Sequence, residues 1–247
     1  MKRVLNFLHI VFVLMWAGFS ITVYGITTIL VRIISERVSR FIAKLWCIHI
    51  NFFSGVKTYI SGLEKLAKNK NYIFVANHQS IYDIFTLYEK LPFRISFIAK
   101  KSLFFIPVFG WGIAAIGHIA VDRSNPAKAR KSIKRAQKTI KEKKRSIIIF
   151  PEGTRTLTGE IGDFKLGSFG LALQTGIDIV PVSIFGAYDV LHKGSLMLNP
   201  GTIYLDIANP ISISQFNRTD KFKLTQIVRN EILSLFEKRR KSIKISA

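Results

Sequence analysis

From Val4 to Val31 this chain carries no Lys, Arg, Asp or Glu. At 1.5 Å per residue, a helix over that stretch runs about 40 Å, longer than the ~30 Å hydrocarbon core of a bilayer. A cleaved signal sequence fits poorly. Lys2 and Arg3 suit its basic start, but the apolar run is too long and no small-residue cleavage site follows. Two membrane geometries remain. One is a single tilted span. The other is a helix pair dipping into one leaflet, broken near Gly18 or Gly25, with Phe41 to Val56 as its second arm. Positive charge flanks the run on both sides: Lys2 and Arg3 before it, Arg32, Arg37, Arg40 and Lys44 after it. The positive-inside tendency is met most easily if both ends stay on the cytoplasmic side, which favours the re-entrant arrangement. Residues 1–56 are therefore read as membrane-anchoring helices, and 57–247 as a separate domain.

Composition narrows the class of partner. Lys and Arg number 37 against 15 acidic residues, a net charge of +22. Such a chain is drawn to polyanions: nucleic acid, an anionic bilayer or phosphorylated substrates. The mean hydropathy of +0.26 and the 20 Phe argue against a nucleic-acid binder, which is normally more polar. Basic and apolar together suit a surface of anionic membrane lipids. The lone Cys47 excludes an internal disulfide and reads as a small apolar filler. His9, His49, His118 and His192 are dispersed, so no metal site is expected.

Beyond about Gly55 strands alternate with helices. Tyr72 to Ala76, Ile95 to Ala99, Ser146 to Phe150, Ile177 to Ile184 and Thr202 to Ile207 read as strands. Ser80 starts a helix. Asn125-Pro126 starts another, running to about Lys143, with Ala129, Ile133, Ala136 and Ile140 on its apolar face. Lys128, Arg130, Lys131, Lys134, Arg135, Lys138 and Lys141 crowd its remaining surface. A short helix is expected over Ser168 to Gln174. A longer amphipathic one runs from about Asp220 to Lys241, with Phe222, Ile227, Ile232, Leu235 and Phe236 as its apolar positions. The alternation predicts an α/β fold: a mixed, largely parallel sheet flanked by helices, with the N-terminal helical segment embedded in a membrane.

Two clusters could carry chemistry. In Asn77-His78-Gln79-Ser80-Ile81-Tyr82-Asp83 the histidine follows a buried strand, where side chains of α/β sheets meet ligands. Histidine is a general base near neutral pH, and a carboxylate on its far nitrogen fixes its tautomer. On one continuous helix His78 and Asp83 would lie about 140° apart, so they meet only if His78 precedes the helix. Ser80-x-x-Asp83 also matches a capping box, and from these seven residues both readings stand. The second cluster is Phe150-Pro151-Glu152-Gly153-Thr154-Arg155, where a strand halts at proline. Gly153 admits close backbone approach, and Arg155 offers a planar fork for a phosphate. Lys165 adds a cation downstream. Gly110 to Ala115 fits a dinucleotide fingerprint, but no clear strand precedes it and no acidic residue follows at about 20 positions.

These clusters resemble motifs of the glycerolipid acyltransferases. Asn77 to Asp83 is similar to their NHxxxxD motif, and Phe150 to Arg155 to their FPEGTR motif. Gly117 to Arg123 resembles the glycine-led motif between them, and Val180-Pro181-Val182 the one that follows. All four stand in family order between about Asn51 and Ile207, most like the bacterial 1-acyl-sn-glycerol-3-phosphate acyltransferases. The chain departs at Thr156, where Ser is frequent, and at Ser102, where many members carry Glu. The resemblance implies transfer of a fatty acyl group from acyl-CoA or acyl-carrier protein to the sn-2 hydroxyl of lysophosphatidic acid. His78 would be the base and Asp83 its orienting group. Arg123, Glu152, Gly153, Thr154 and Arg155 would form the acceptor pocket, with Lys100 and Lys165 as neighbouring cations. The thioester is a substrate and no cofactor is implied. No G-x-S-x-G elbow calls for an acyl-enzyme. The location implied is the cytoplasmic face of a bacterial inner membrane. Acylation of another lysolipid, such as a lyso-ornithine lipid, is the alternative, followed by a non-catalytic basic membrane-binding protein.

Overall fold

In this computed structural model, which describes residues 2–122 and 126–246, the uncharged run forms one helix. α1 spans Lys2–Ile34 and passes through Gly18 and Gly25 without a break. The interruption expected at a glycine falls instead at Ser35, whose side chain caps the Val38 N–H and starts α2, Glu36–Phe53. The physical reason is simple. A single glycine costs a helix about 1 kcal/mol but does not end it, whereas a capping serine supplies the acceptor that a new helix needs. Gly25 serves packing, since a Cβ there would fall 2.5 Å from the Val108 side chain.

α1 lies along α2. His9 Nε2 donates to Phe53 O at 2.8 Å, and Trp46 Nε1 donates to Ser20 Oγ at 3.0 Å. α2 buries Ala43, Cys47 and Ile50 against the rest of the protein. α1 does the reverse: Phe7, Leu14, Met15, Phe19 and Leu30 are exposed. From Val4 to Ile34 it is long and apolar enough to cross a bilayer, and only 11% of its most apolar stretch is buried. An apolar helix turned outward marks a membrane-associating surface.

The remaining chain runs β1 (Val56–Ser61), β2 (Ile73–Ala76), α3 (Tyr82–Lys90), β3 (Ile95–Lys100), α4 (Phe109–Ala115) and β4 (Ile119–Val121). It continues with α5 (Pro126–Lys143), β5 (Ser146–Ile149), α6 (Gly170–Thr175), β6 (Ile179–Phe185), α7 (Ala187–Val190), β7 (Gly201–Ile207) and α8 (Lys221–Ser246). The strands form one sheet in the order β1-β7-β6-β2-β5-β3-β4. β2 to β6 run parallel, β7 runs against β6, and β1 is parallel to β7. The sheet is mixed and largely parallel, as the alternation predicts.

β2 and β5 are buried along their whole length because helices cover both faces, so they read as continuous apolar runs. Successive residues still divide between the two faces. Phe74, Ile148, Val180 and Val182 pack with Cys47 and Ile50 of α2 and Leu87 of α3. Ile73, Val75, Ile147 and Ile149 pack with Ala136 and Ile140 of α5, Leu171 of α6, and Leu224, Val228, Ile232 and Phe236 of α8. The four-residue spacing on α8 corrects the expected face, for Phe222 points outward. On α5, Lys134, Arg135 and Lys138 are exposed as expected. The side chains of Ala129, Lys128, Arg130, Lys131 and Lys141 lie outside the described residues.

Candidate active site

The site grows from the end of β2. Asn77 is buried, and its amide stands in for a further strand residue: Nδ2 donates to Ile184 O at 2.9 Å and Oδ1 accepts from Ile184 N at 2.7 Å. That clamp onto β6 ends the strand and releases the chain at His78. α3 begins only at Tyr82, so His78 precedes the helix and Asp83 stands in its first turn.

Both readings of the heptapeptide meet in one carboxylate. Asp83 Oδ2 accepts from His78 Nδ1 at 2.7 Å and from the backbone N–H groups of Gln79 and Ser80 at 2.7 and 2.9 Å. Asp83 therefore caps the turn and holds the imidazole with the same oxygen. The Ser80 hydroxyl takes no reciprocal part in a capping box. It donates to Leu191 O at 2.6 Å and pins the loop after α7. With Nδ1–H on the carboxylate, His78 Nε2 carries the lone pair and has no hydrogen-bond partner among the described residues. Phe150 stacks on the imidazole, ring centroids 4.0 Å apart and planes 15° apart. Two contacts thus fix the ring, one at its edge and one on its face.

Beyond β5 the chain turns at Pro151. Gly153 takes φ +74°, a left-handed conformation that glycine adopts without strain. Glu152 is only 8% exposed. Its Oε1 accepts from His78 N at 2.7 Å and its Oε2 from Gly162 N at 3.0 Å. Burial raises its carboxyl above the ordinary range, and the His78 and Gly162 N–H groups pull it back. The sequence reading puts Glu152 in an acceptor pocket, but here both oxygens hold backbone. A further strut runs from Thr156 N to His78 O at 2.9 Å.

Cations gather on this turn. A Cβ on Gly153 would fall 2.8 Å from Lys165 Nζ, so the lysine lies folded over the glycine. Lys193 Nζ donates to Thr154 Oγ1 at 2.9 Å. Arg155 is half-buried and makes no side-chain hydrogen bond or ion pair among the described residues. Lys100 is exposed at the end of β3, on the same edge of the sheet as His78 and Glu152. Arg123 lies outside the described residues. Sequence reasoning missed Lys193, the Asn77 clamp and the Phe150 stack. Asn77 and Phe150 each carried a signal, as the first residue of its motif, and Lys193 carried none.

Chemically, the arrangement is an oriented base with an open nitrogen beside a group of cations. It can take a proton from a hydroxyl while holding an anionic group nearby.

The acyltransferase family model matches residues 57–185. Over 173 residues the chain is 39% identical to a chloroplastic 1-acyl-sn-glycerol-3-phosphate acyltransferase of Brassica napus, covering 69% of this chain and 49% of that protein. Over 200 residues it is 33% identical to the 1-acyl-sn-glycerol-3-phosphate acyltransferase of Borreliella burgdorferi, covering 80% and 79%. The chain spans about half the length of the plant relatives it matches. The crystal structure of PlsC, the 1-acyl-sn-glycerophosphate acyltransferase of Thermotoga maritima, superimposes with a TM-score of 0.83 at 26% identity, over 97% of this chain and 98% of that one.

Proposed function

The chain belongs to the acyltransferase family, and from that membership we propose that it moves a fatty acyl group from a thioester to the sn-2 hydroxyl of lysophosphatidic acid, yielding phosphatidic acid. The observation that carries this reading is the His78–Asp83 pair at 2.7 Å, with Nε2 open beside the cationic turn. His78 Nε2 takes the hydroxyl proton as the oxygen attacks the thioester carbonyl. The tetrahedral intermediate then collapses, the C–S bond breaks, and the thiolate leaves with the proton returned by the imidazolium. Asp83 stabilises the imidazolium between these steps. The acceptor phosphate pairs with Arg155, Lys165 and Lys193, and Arg123 and Lys100 are further candidates for it. Gly153 and Thr154 give the phosphate close access to the turn. The donor is acyl-CoA or acyl-carrier protein, and no cofactor takes part.

The anchor is residues 1–56 and the catalytic domain 57–247, working at anionic lipid on the cytoplasmic face of the inner membrane. The outward apolar face of α1 supports attachment to a membrane.

The test is transfer of labelled palmitate from both thioesters to lysophosphatidic acid, by the wild type and by His78→Ala. Loss of a positioned general base lowers the rate by ~10²–10⁴. A folded His78→Ala protein with wild-type turnover would refute the role of His78. A wild type that acylates only other lysolipids would refute the acceptor.

A further inference from the structure

The turn between α1 and α2 gathers more positive charge than its single carboxylate can balance. Glu36 Oε1 accepts from Arg40, from Arg94 at 2.8 Å and from Arg145, while Oε2 faces Arg32 at 3.3 Å. Four guanidinium groups against one carboxylate leave a formal +3. No second acidic side chain pairs with any of the four among the described residues.

The four are not equivalent. Arg145 is buried, and Nη1 also donates to Ser96 Oγ at 3.1 Å and to Ile116 O. It is a structural post. The side chains of Arg32, Arg40 and Arg94 are 36%, 16% and 48% exposed. Each guanidinium has five N–H donors, and a single nitrogen of each faces Glu36. Arg32 also donates Nε to Ala115 O at 2.9 Å, and the donors left on Arg32, Arg40 and Arg94 have no partner among the described residues.

What covers this surface is indicated by the neighbouring side chains. Ile33 and Ile34 are 83% and 88% exposed, and Val38 and Phe41 on the first turns of α2 are also exposed. Bare apolar side chains around a cationic centre fit the boundary between acyl chains and headgroups, where arginine stems lie in the apolar zone and their heads reach phosphate. Arginine forks suit phosphate oxygens in particular.

This place is remote from the candidate active site. Arg94 and Arg145 immediately precede β3 and β5, whereas His78 and Glu152 follow β2 and β5. These three strands run parallel, so the two groups stand at opposite edges of the sheet.

We propose that Arg32, Arg40 and Arg94 form a phosphate-binding site at the α1–α2 turn, occupied by the headgroup phosphate of an anionic phospholipid. The bound phosphate completes the charge balance that Glu36 begins. It also ties the helix pair to the sheet through Arg94.

The full-length protein in neutral detergent tests this, by native mass spectrometry and thermal unfolding with phosphatidylglycerol, phosphatidylcholine or inorganic phosphate. The wild type should retain one phosphatidylglycerol in preference to phosphatidylcholine, with a rise in Tm. Arg94→Gln should weaken retention about ten-fold, the loss expected for one charge-assisted contact. Arg94→Lys keeps the charge but not the fork, and should fall between the two. Arg37→Gln removes the same charge from an exposed neighbour that does not touch Glu36, and should retain lipid like the wild type. An equal rise in Tm with inorganic phosphate alone would assign the site to free phosphate and overturn the lipid assignment. Retention unchanged in Arg94→Gln, or weakened equally by Arg37→Gln, would overturn the proposal as a whole. Because the readout is binding at the far edge of the sheet, its failure leaves the acyltransferase reading untouched.

Discussion

Glu152→Gln separates two roles for the Glu-Gly-Thr-Arg turn. In the structure Glu152 is a positioning residue, with Oε1 on His78 N at 2.7 Å and Oε2 on Gly162 N at 3.0 Å. Glutamine is the same size but keeps one acceptor oxygen and turns an NH₂ toward the other N–H. One buried backbone donor is then left unpaired, at a cost of about 1–3 kcal/mol. A second effect opposes this. Burial raises the Glu152 carboxyl, so its ionised form is disfavoured in the fold, and the associated stability falls as pH rises through the raised value. Glutamine removes that charge, so the net loss at neutral pH is about 1–2 kcal/mol. For a chain of this size that lowers Tm by about 2–8 °C. The larger effect is on chemistry. With the NH₂ turned toward His78 N, the bond that sets the His78 backbone is lost, and a small displacement of a base can cost about 10²-fold in rate. Steady-state kinetics against acceptor concentration, with thermal unfolding in parallel, should show kcat reduced, Tm reduced and acceptor KM nearly constant. A KM raised ten-fold with kcat and Tm unchanged would refute the reasoning and return Glu152 to the acceptor pocket.

Two further outcomes concern stability. Gly117→Ala should cost at least about 3 kcal/mol in urea unfolding, from left-handed strain plus displacement of a buried ion-pair partner. Gly117 has φ +87°, and a Cβ there would fall 2.1 Å from Arg145 Nη1. Gly176→Ala is the control, since its φ of +68° is similar but nothing lies within 4 Å, and it should cost about 1 kcal/mol. In acid, two groups act in the same direction. Burial against Phe97 and Tyr88, then the Arg145 guanidinium, pushes the His118 imidazole below its usual 6.5, so its contribution is lost as pH falls below that value. Burial opposes ionisation of Glu36, but Arg94 and Arg145 outweigh it and hold the carboxyl at about 2, so its contribution is lost as pH falls from 4.5 toward 2. Tm measured from pH 7 to 4 should fall, and His118→Gln should flatten the upper part of that slope. An unchanged slope would refute the role of His118.

Much of the fold is legible because its signals are local. β2, β5 and β6 are apolar runs, and Asn77 and Pro151 mark where the first two give way to loops. β1, Val56–Ser61, is not among the strands read from the sequence: it follows α2 after only two residues, and its first residue falls at the end of the expected second arm. Gly18 and Gly25 look like breakers, while the break falls at Ser35, where the first acidic residue of the chain follows at once. The His78–Asp83 pair is legible as a spacing. The sharing of one Asp83 oxygen among three donors is not, since it depends on the turn that releases His78 from β2.

The contacts that stay illegible are mostly between partners distant in sequence. Glu152 meets His78 across 74 positions, and Arg145 meets Glu36 across 109. No periodicity records such pairs, but sheet topology does. Parallel strands send everything that follows them to one edge and everything that precedes them to the other. His78, Lys100 and Glu152 come after β2, β3 and β5 and share the first edge. Arg94 and Arg145 come just before β3 and β5, so they must share the second. Once those strands are assigned, two arginines brought side by side without a carboxylate between them in the sheet require an acid from elsewhere. Glu36 is the acid that meets them, and it lies where the uncharged helix ends. The junction between membrane segment and sheet is thus a charge requirement written in the residues that precede the strands.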